Sequence, residues 1–202
     1  MPGCSDKLLH FKGGVSMNIY ITGVGGQGIG LLSEALLRAL DRAGLAVKGV
    51  DTHGLAQRGG VVVSQIRTGS GEFSPLIQPG MADLVVALER HEAYRALNGF
   101  LRKEGTLVYY DTVQQPFNVR NGSVPEITVE TLHNECRRRG VTVFRVYRDD
   151  LPNPRMQNTA LLKVILDQSL ISELTSRHLE EAMEDLLTGE ALKANLKILS
   201  TT

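Results

Sequence analysis

The chain has 202 residues, with 22 Lys and Arg against 22 Asp and Glu, and only two cysteines. That length suits one substantial α/β domain, and the balanced charge excludes a strongly basic binder of nucleic acid or of an anionic membrane. Two cysteines exclude a disulfide framework, a zinc site built on cysteines, and an iron–sulfur cluster whose four thiolates all come from this chain.

The first sixteen residues, MPGCSDKLLHFKGGVS, lack the apolar core of a signal peptide and read as a leader outside the fold, with Met17 placed directly before the first strand. No apolar run approaches the ~20 residues that span a bilayer, so a cytoplasmic protein is the expectation. Residues 18–22 predict a buried strand, Gly23 to Gly28 a turn, and residues 29–43 a helix whose Leu31, Leu32, Ala35, Leu36, Ala39 and Leu40 share one face. Gly44 is placed to end that helix in a left-handed conformation, and Ala46 to Val50 to form the next strand of a right-handed β-α-β unit.

Further along, "VVVSQIR" predicts a strand, Ser74 to Gly80 a proline-marked connection, "ADLVVALE" a strand and Arg90 to Phe100 a short helix. Thr106 to Tyr110 then reads as a strand, followed by a loop with Pro116, a helix over residues 128–139 and a last strand from Val141 to Tyr147. Pro152 and Pro154 break the pattern before a helical tail from about residue 157, in which Leu179, Ala182, Met183, Leu186 and Leu187 make one apolar stripe. The expected fold is therefore α/β, a Rossmann-like, mostly parallel sheet with flanking helices and a helical C-terminal extension, all in one domain over residues 17–202.

The chemistry concentrates in two segments. "GVGGQG", Gly23 to Gly28, is G-x-G-x-x-G between a strand and a helix, where backbone N–H groups and the helix dipole favour phosphate. Gly25 and Gly26 allow close approach, Gly28 lets helix and strand pack, and Gln27 is expected to aim an amide into the site. The plainer alternative is a tight turn that needs glycine with or without a ligand. "HGLAQRGG" follows the second strand on the same sheet edge, so that His53, Gln57 and Arg58, closed by Gly59, converge near the glycine turn. Arg58 suits a phosphate or carboxylate. Asp51 is a candidate for a ribose or for a plain strand-end cap, but little chain remains to build a hydride-transfer site, which disfavours a free NAD dehydrogenase. Glu89, Glu92 and Arg95 have a solvated helix face as their plainer alternative reading, with Glu89 a candidate to face the site because it ends a strand on the ligand edge. No metal-ligand spacing and no catalytic residue stands out.

"GVGGQGIGLLSEAL", "HGLAQRGGVVVSQIR", "SPLIQPGMADLVVALERHEAYR" and "NPRMQNTALL" together resemble the gamma-type subunit of 2-oxoacid:acceptor oxidoreductases, over roughly residues 17–170. Within that family the pattern looks most like the beta subunit of indolepyruvate:ferredoxin oxidoreductase, and less specifically like pyruvate and 2-oxoglutarate gamma subunits. The resemblance implies a non-catalytic subunit of an enzyme that decarboxylates a 2-oxoacid oxidatively to an acyl-CoA and passes electrons to ferredoxin. It implies coenzyme A at the glycine turn, with Gly23, Gly25, Gly26, Gln27, Gly28, His53, Gln57, Arg58 and Gly59 as contact residues. Thiamine diphosphate, magnesium and iron–sulfur clusters are expected on partner subunits, with ferredoxin met indirectly. A standalone CoA- or nucleotide-binding module is the alternative. Apart from its partners the chain is expected to self-associate through the tail and the Arg90–Phe100 helix.

Overall fold

The computed structural model describes residues 16–52, 60–69, 74–114 and 126–200. Strands β1 (Met17–Val24), β2 (Val47–Thr52), β3 (Val61–Thr68), β4 (Ala82–Ala87), β5 (Leu101–Tyr110) and β6 (Thr142–Val146) form one sheet in the order β2-β3-β1-β4-β5-β6. Helices α1 (Ile29–Arg42), α2 (Arg90–Gly99), α3 (Val129–Arg139), α4 (Gln157–Asp167), α5 (Ser176–Leu186) and α6 (Gly189–Ser200) complete the described fold. The expected α/β architecture, mostly parallel sheet and helical extension are all present.

Central strands alternate between two cores, as strands covered on both faces must. Ile19, Ile21, Leu84, Val86 and Val108 enter the core beneath α1, α4 and the tail, whereas Tyr20, Val85, Ala87, Leu107 and Tyr109 enter the core beneath α2 and α3. Tyr20 also stacks on Phe100 just past α2, with ring centroids 4.1 Å apart. Helix ends follow local chemistry. Gly44 closes α1 at φ 81, as predicted, and Gly140 closes α3 at φ 67. Thr128 and Thr175 cap α3 and α5 by accepting from Thr131 N and His178 N.

The first β-α-β unit differs from expectation. β1 pairs with β3 antiparallel and β3 with β2 antiparallel, so β2 runs parallel to β1 but one strand removed. A β2-β3 antiparallel pair has folded back into the place that β2 was expected to take. β5 also starts earlier than its apolar run suggests, at Leu101. After the buried Leu101 the added residues Arg102, Lys103 and Glu104 are polar, and a register irregularity between Ala82 and Leu84, with Glu104 left-handed at φ 58, hides them from a periodicity argument.

The tail does not supply the free apolar surface expected of it. Leu179, Ala182 and Met183 are buried against the α1 side of the sheet, and Arg42 joins Asp185 at 2.5 Å and Glu181 at 3.5 Å across the α1–α5 contact. Thr159 and Asn195 share a buried 2.5 Å hydrogen bond between α4 and α6. On α2, Ala93, Ala96 and Leu97 are buried as well. Both stripes are largely consumed within the chain, and among the described residues the large apolar side chains left exposed are Val61, Leu76, Met81 and Tyr147. Among the described residues no helix is long and apolar enough to cross a membrane.

Met183, with no exposed surface, is a direct test of tail docking. Met183→Ala is expected to cost about 2–5 kcal/mol in chemical denaturation. Arg42→Ala, which removes only partly exposed ion pairs, is expected to cost about 1 kcal/mol or less.

Candidate functional site at the glycine turn

Strand order switches between the parallel neighbours β1 and β4: α1 leaves β1 on one face toward β2, and α2 leaves β4 on the other toward β5. Such a switch point opens a crevice at the carboxyl ends of the strands. The glycine turn lies there. Gly26 and Gly28 take φ 99 and φ 83, a region that L side chains rarely adopt. A Cβ on Gly26 would meet nothing within 4 Å, so this residue faces open space. Gly28 is the N-cap of α1 and offers no side chain to its first turn, although its carbonyl accepts from Leu31 and Leu32 N. No acceptor among the described residues meets the N–H groups of Gly26, Gly28 or Gly30. Unsatisfied donors at a helix N-terminus with open space before them form an anion-binding geometry.

Gln27 behaves differently from expectation. Its side chain is buried and turned inward: Oε1 accepts from Val24 N at 2.7 Å, and Nε2 donates to Leu88 O at 2.8 Å. A buried primary amide satisfies itself on whatever backbone lies nearest, and here that backbone belongs to β1 and to the end of β4. Gly23 makes room for it, because a Cβ there would stand 2.8 Å from Gln27 Oε1 and 2.9 Å from Leu88 Cβ. Gly23 therefore serves packing at this turn.

Four of the predicted contact residues, His53, Gln57, Arg58 and Gly59, lie outside the described residues. Their flanks stand where the sequence suggests. Thr52 and Thr22 both register with Val63, on opposite sides of β3, so β2 and β1 end at the same level of one sheet edge. Gly25 N donates to Gly60 O at 2.9 Å, which ties the turn directly to the residue that follows "HGLAQRG".

Asp51 is not presented to the turn as a ribose-binding acid is. The intervening β3 moves it outward by about 5 Å, one strand spacing. Its carboxylate instead accepts from the Ser64 hydroxyl and, at 3.3 Å, from Ser33, while the two hydroxyls lie 2.7 Å apart.

The acidic residues after β4 are not a solvated face. Glu89 is fully buried as the N-cap of α2, with Oε2 accepting from Glu92 N at 2.9 Å and Oε1 accepting from His91 Nδ1 at 2.8 Å. His91 Nε2 accepts from Ile127 N at 3.2 Å, so the ring proton resides on Nδ1. Glu89 thus orders the start of α2 and does not face the glycine turn. Glu92 is buried too, 2.8 Å from Arg95 and lining a cavity of about 220 Å³ with Tyr20, Thr22 and Val61. Burial, with Glu89 nearby, pushes its carboxyl above the ordinary range against the pull of Arg95. Asp111, at the end of β5, receives Arg90 at 2.6 Å and Arg145 at 2.5 Å. Neither this cluster nor the role of Asn158 was foreseen. Asn158 donates from Nδ2 to Gly28 O at 2.8 Å across 130 residues of chain, and the only sequence sign of it is its place in "NPRMQN".

Comparison with known proteins agrees with this geometry. The family described as pyruvate ferredoxin/flavodoxin oxidoreductase matches residues 18–202. Indolepyruvate oxidoreductase subunit IorB of Archaeoglobus fulgidus is 34% identical over 188 residues, covering 91% of this chain and 92% of the relative. Its namesake in Methanothermobacter thermautotrophicus is 31% identical over 91% of this chain and 94% of the relative. The chain belongs to the pyruvate ferredoxin/flavodoxin oxidoreductase family, as the motifs imply. Its fold is also that of the keto/oxoacid ferredoxin oxidoreductase gamma subunit of Geobacter sulfurreducens, at TM-score 0.63 and 17% identity over 92% of this chain and 93% of that one. A 2-oxoglutarate:ferredoxin oxidoreductase from Magnetococcus marinus, solved with 2-oxoglutarate, coenzyme A and succinyl-CoA bound, shares the fold at TM-score 0.64 and 19% identity. There the match covers 91% of this chain but 30% of the other, so the fold occurs both as a separate chain and as part of a longer one.

The raised Glu92 carboxyl has a pH signature. The folded protein binds this proton more tightly than the unfolded chain, whose carboxyl titrates near 4.5, so the cost of ionising it is full above the folded value and is relieved as pH falls through it. Glu92→Gln is therefore expected to raise the melting temperature at pH 7, and the gain over wild type is expected to shrink as the pH is lowered toward 5. A gain that is constant with pH would contradict the assignment.

Proposed function

We propose that this chain is a non-catalytic subunit of a cytoplasmic 2-oxoacid:ferredoxin oxidoreductase, which holds the phosphates of coenzyme A at its glycine turn and contributes subunit interface. The observation that carries the reading is the open, left-handed Gly26–Gly28 backbone at the start of α1, placed at the switch point of the sheet. Phosphate suits it because the donors are backbone N–H groups and the helix dipole adds partial positive charge. Arg58 is assigned a charge-assisted contact from the neighbouring loop, with His53, Gln57 and Gly59 completing its lining. The coenzyme A in the Magnetococcus marinus enzyme of the same fold supports the choice of ligand.

Thiamine diphosphate, magnesium and iron–sulfur clusters belong to partner subunits on this reading. The residues here do not fit a cluster: Cys136 is buried on the core-facing side of α3, its thiol pushed up to about 11 by burial, and two cysteines fall short of the thiolates that a cluster takes. Electrons would reach ferredoxin through those partners. A dinucleotide is the competing ligand, and the displacement of Asp51 by β3 argues against it.

Titration of the full chain, alone and with its partner subunits, with coenzyme A and with NADH separates the two. Coenzyme A is expected to bind and NADH is not. Arg58→Ala is expected to weaken coenzyme A by about 1.5–3 kcal/mol, the worth of a hydrogen bond to a charged group, which is roughly 10- to 150-fold. Gly26→Val is expected to abolish binding, because a β-branched residue is strained at φ 99 and would stand in the open approach. NADH binding that depends on Asp51, with no coenzyme A effect, would overturn the proposal. The chain alone is expected to be colourless and to turn over no 2-oxoacid.

A further inference from the structure

We infer that Gln27 and Asn158 are the positioning residues of the glycine turn: two buried amides that hold it from both ends in its anion-ready shape before any ligand arrives. The inference rests on the reading of that turn as a phosphate site.

A turn with three glycines among Gly25, Gly26, Gln27 and Gly28 has little intrinsic preference for one shape, since glycine loses more conformational freedom on ordering than any other residue. Convergent N–H groups are useful to an anion only if they converge before it binds. Something outside the turn must therefore hold it. At its start, Gln27 spans from Val24 N to Leu88 O, which joins the end of β1 to the end of β4 across the switch point. At its end, Asn158 in the first turn of α4 donates to Gly28 O.

Hydrogen-bond satisfaction of Gly28 O does not require the Asn158 contact. Gly28 O already accepts from Leu31 and Leu32 N, so a third donor meets no unfilled need of a carbonyl with two lone pairs. Asn158 itself is 1% exposed, and its Oδ1 has no partner among the described residues. Rotating the amide by half a turn would set that oxygen against Gly28 O, so the single donated bond fixes its orientation. A buried amide with one end unsatisfied is a poor choice for stability alone. It is a good choice for holding one backbone oxygen at one place. The fit is close: a Cβ on Gly28 would stand 2.6 Å from Asn158 Nδ2. The "NPRMQN" motif thereby gains a role. Asn153 caps the short turn Pro154–Met156 by accepting from Arg155 N at 2.9 Å, and that turn leads straight into α4 and Asn158.

The test uses the full chain with Asn158→Leu and Gln27→Glu, and reads three quantities. These are amide exchange without ligand at Gln27 and Leu31, whose N–H groups donate to Val24 O and Gly28 O, affinity for coenzyme A and for inorganic phosphate, and melting temperature. Asn158→Leu keeps the number and branching of the heavy atoms and removes the unsatisfied oxygen, so cooperative unfolding is expected to persist with little shift. Exchange at Gln27 and Leu31 is nonetheless expected to quicken, and coenzyme A affinity to fall roughly tenfold or more. Gln27→Glu adds a rescue. Its protonated carboxyl can accept from Val24 N and donate to Leu88 O, whereas the ionised form sets an oxygen against Leu88 O. Relative to wild type at each pH, its exchange and affinity are expected to recover as pH falls. Folded variants with wild-type exchange at both Gln27 and Leu31 would overturn the inference, whatever ligand binds. Wild-type protein that ignores coenzyme A and phosphate, with variants that still exchange faster, would overturn the proposed function and leave the positioning role standing.

Discussion

Left-handed backbone at Gly26 and Gly28 is the constraint on which the rest of this structure depends. It lets β1, buried on both faces, pass into α1 within a few residues, and so places α1 directly over the core that Ile19, Ile21 and Ile66 share. α1 is then the surface on which α4 and α5 pack, and the tail helices follow. A bulkier turn would crowd this packing, because a Cβ on Gly23 would stand 2.9 Å from Leu88 Cβ and one on Gly28 would stand 2.6 Å from Asn158 Nδ2 of α4. The left-handed geometry that leaves backbone donors facing open space is thus also the geometry that closes the core. This is why glycine alone at these positions says little about ligand, and why the openness in front of Gly26 says more.

The insertion of β3 between β1 and β2 has the largest functional consequence of any topological feature. It leaves the carboxyl edge of β1 beside Gly60, joined by the Gly25 hydrogen bond, and carries Asp51 outward into a cluster with Ser33 and Ser64. The acid that would define a dinucleotide site is occupied elsewhere. The same glycine spacing thus occurs here without a dinucleotide-type acid beside it, in a chain of the pyruvate ferredoxin/flavodoxin oxidoreductase family.

Buried polar groups around this edge divide into two kinds. Glu89, His91 and Glu92 lie at the start of α2, where Glu89 caps the helix and His91 reaches the Ile127 backbone. Asp111 gathers Arg90 and Arg145 across the ends of three strands. These clusters hold elements together on the α2 side. Gln27 and Asn158 act on the turn itself, one from each side of the switch point.

Local chemistry determined a good part of this protein in the sequence alone. The apolar run of β1, the glycine turn, the α1 face and Gly44 each carry their own signal, because backbone conformation and one-sided burial act over a few residues. The family was legible for the same reason, in contiguous motifs. Tertiary structure alone decided where β2 pairs, since an antiparallel return and a parallel crossover read alike in a short apolar strand. It also decided the fate of polar side chains. Gln27 turned inward, Glu92 was buried and Asn158 crossed 130 residues to Gly28, because a buried polar group bonds to whatever backbone the packed fold brings within reach. No spacing within the chain encodes that distance.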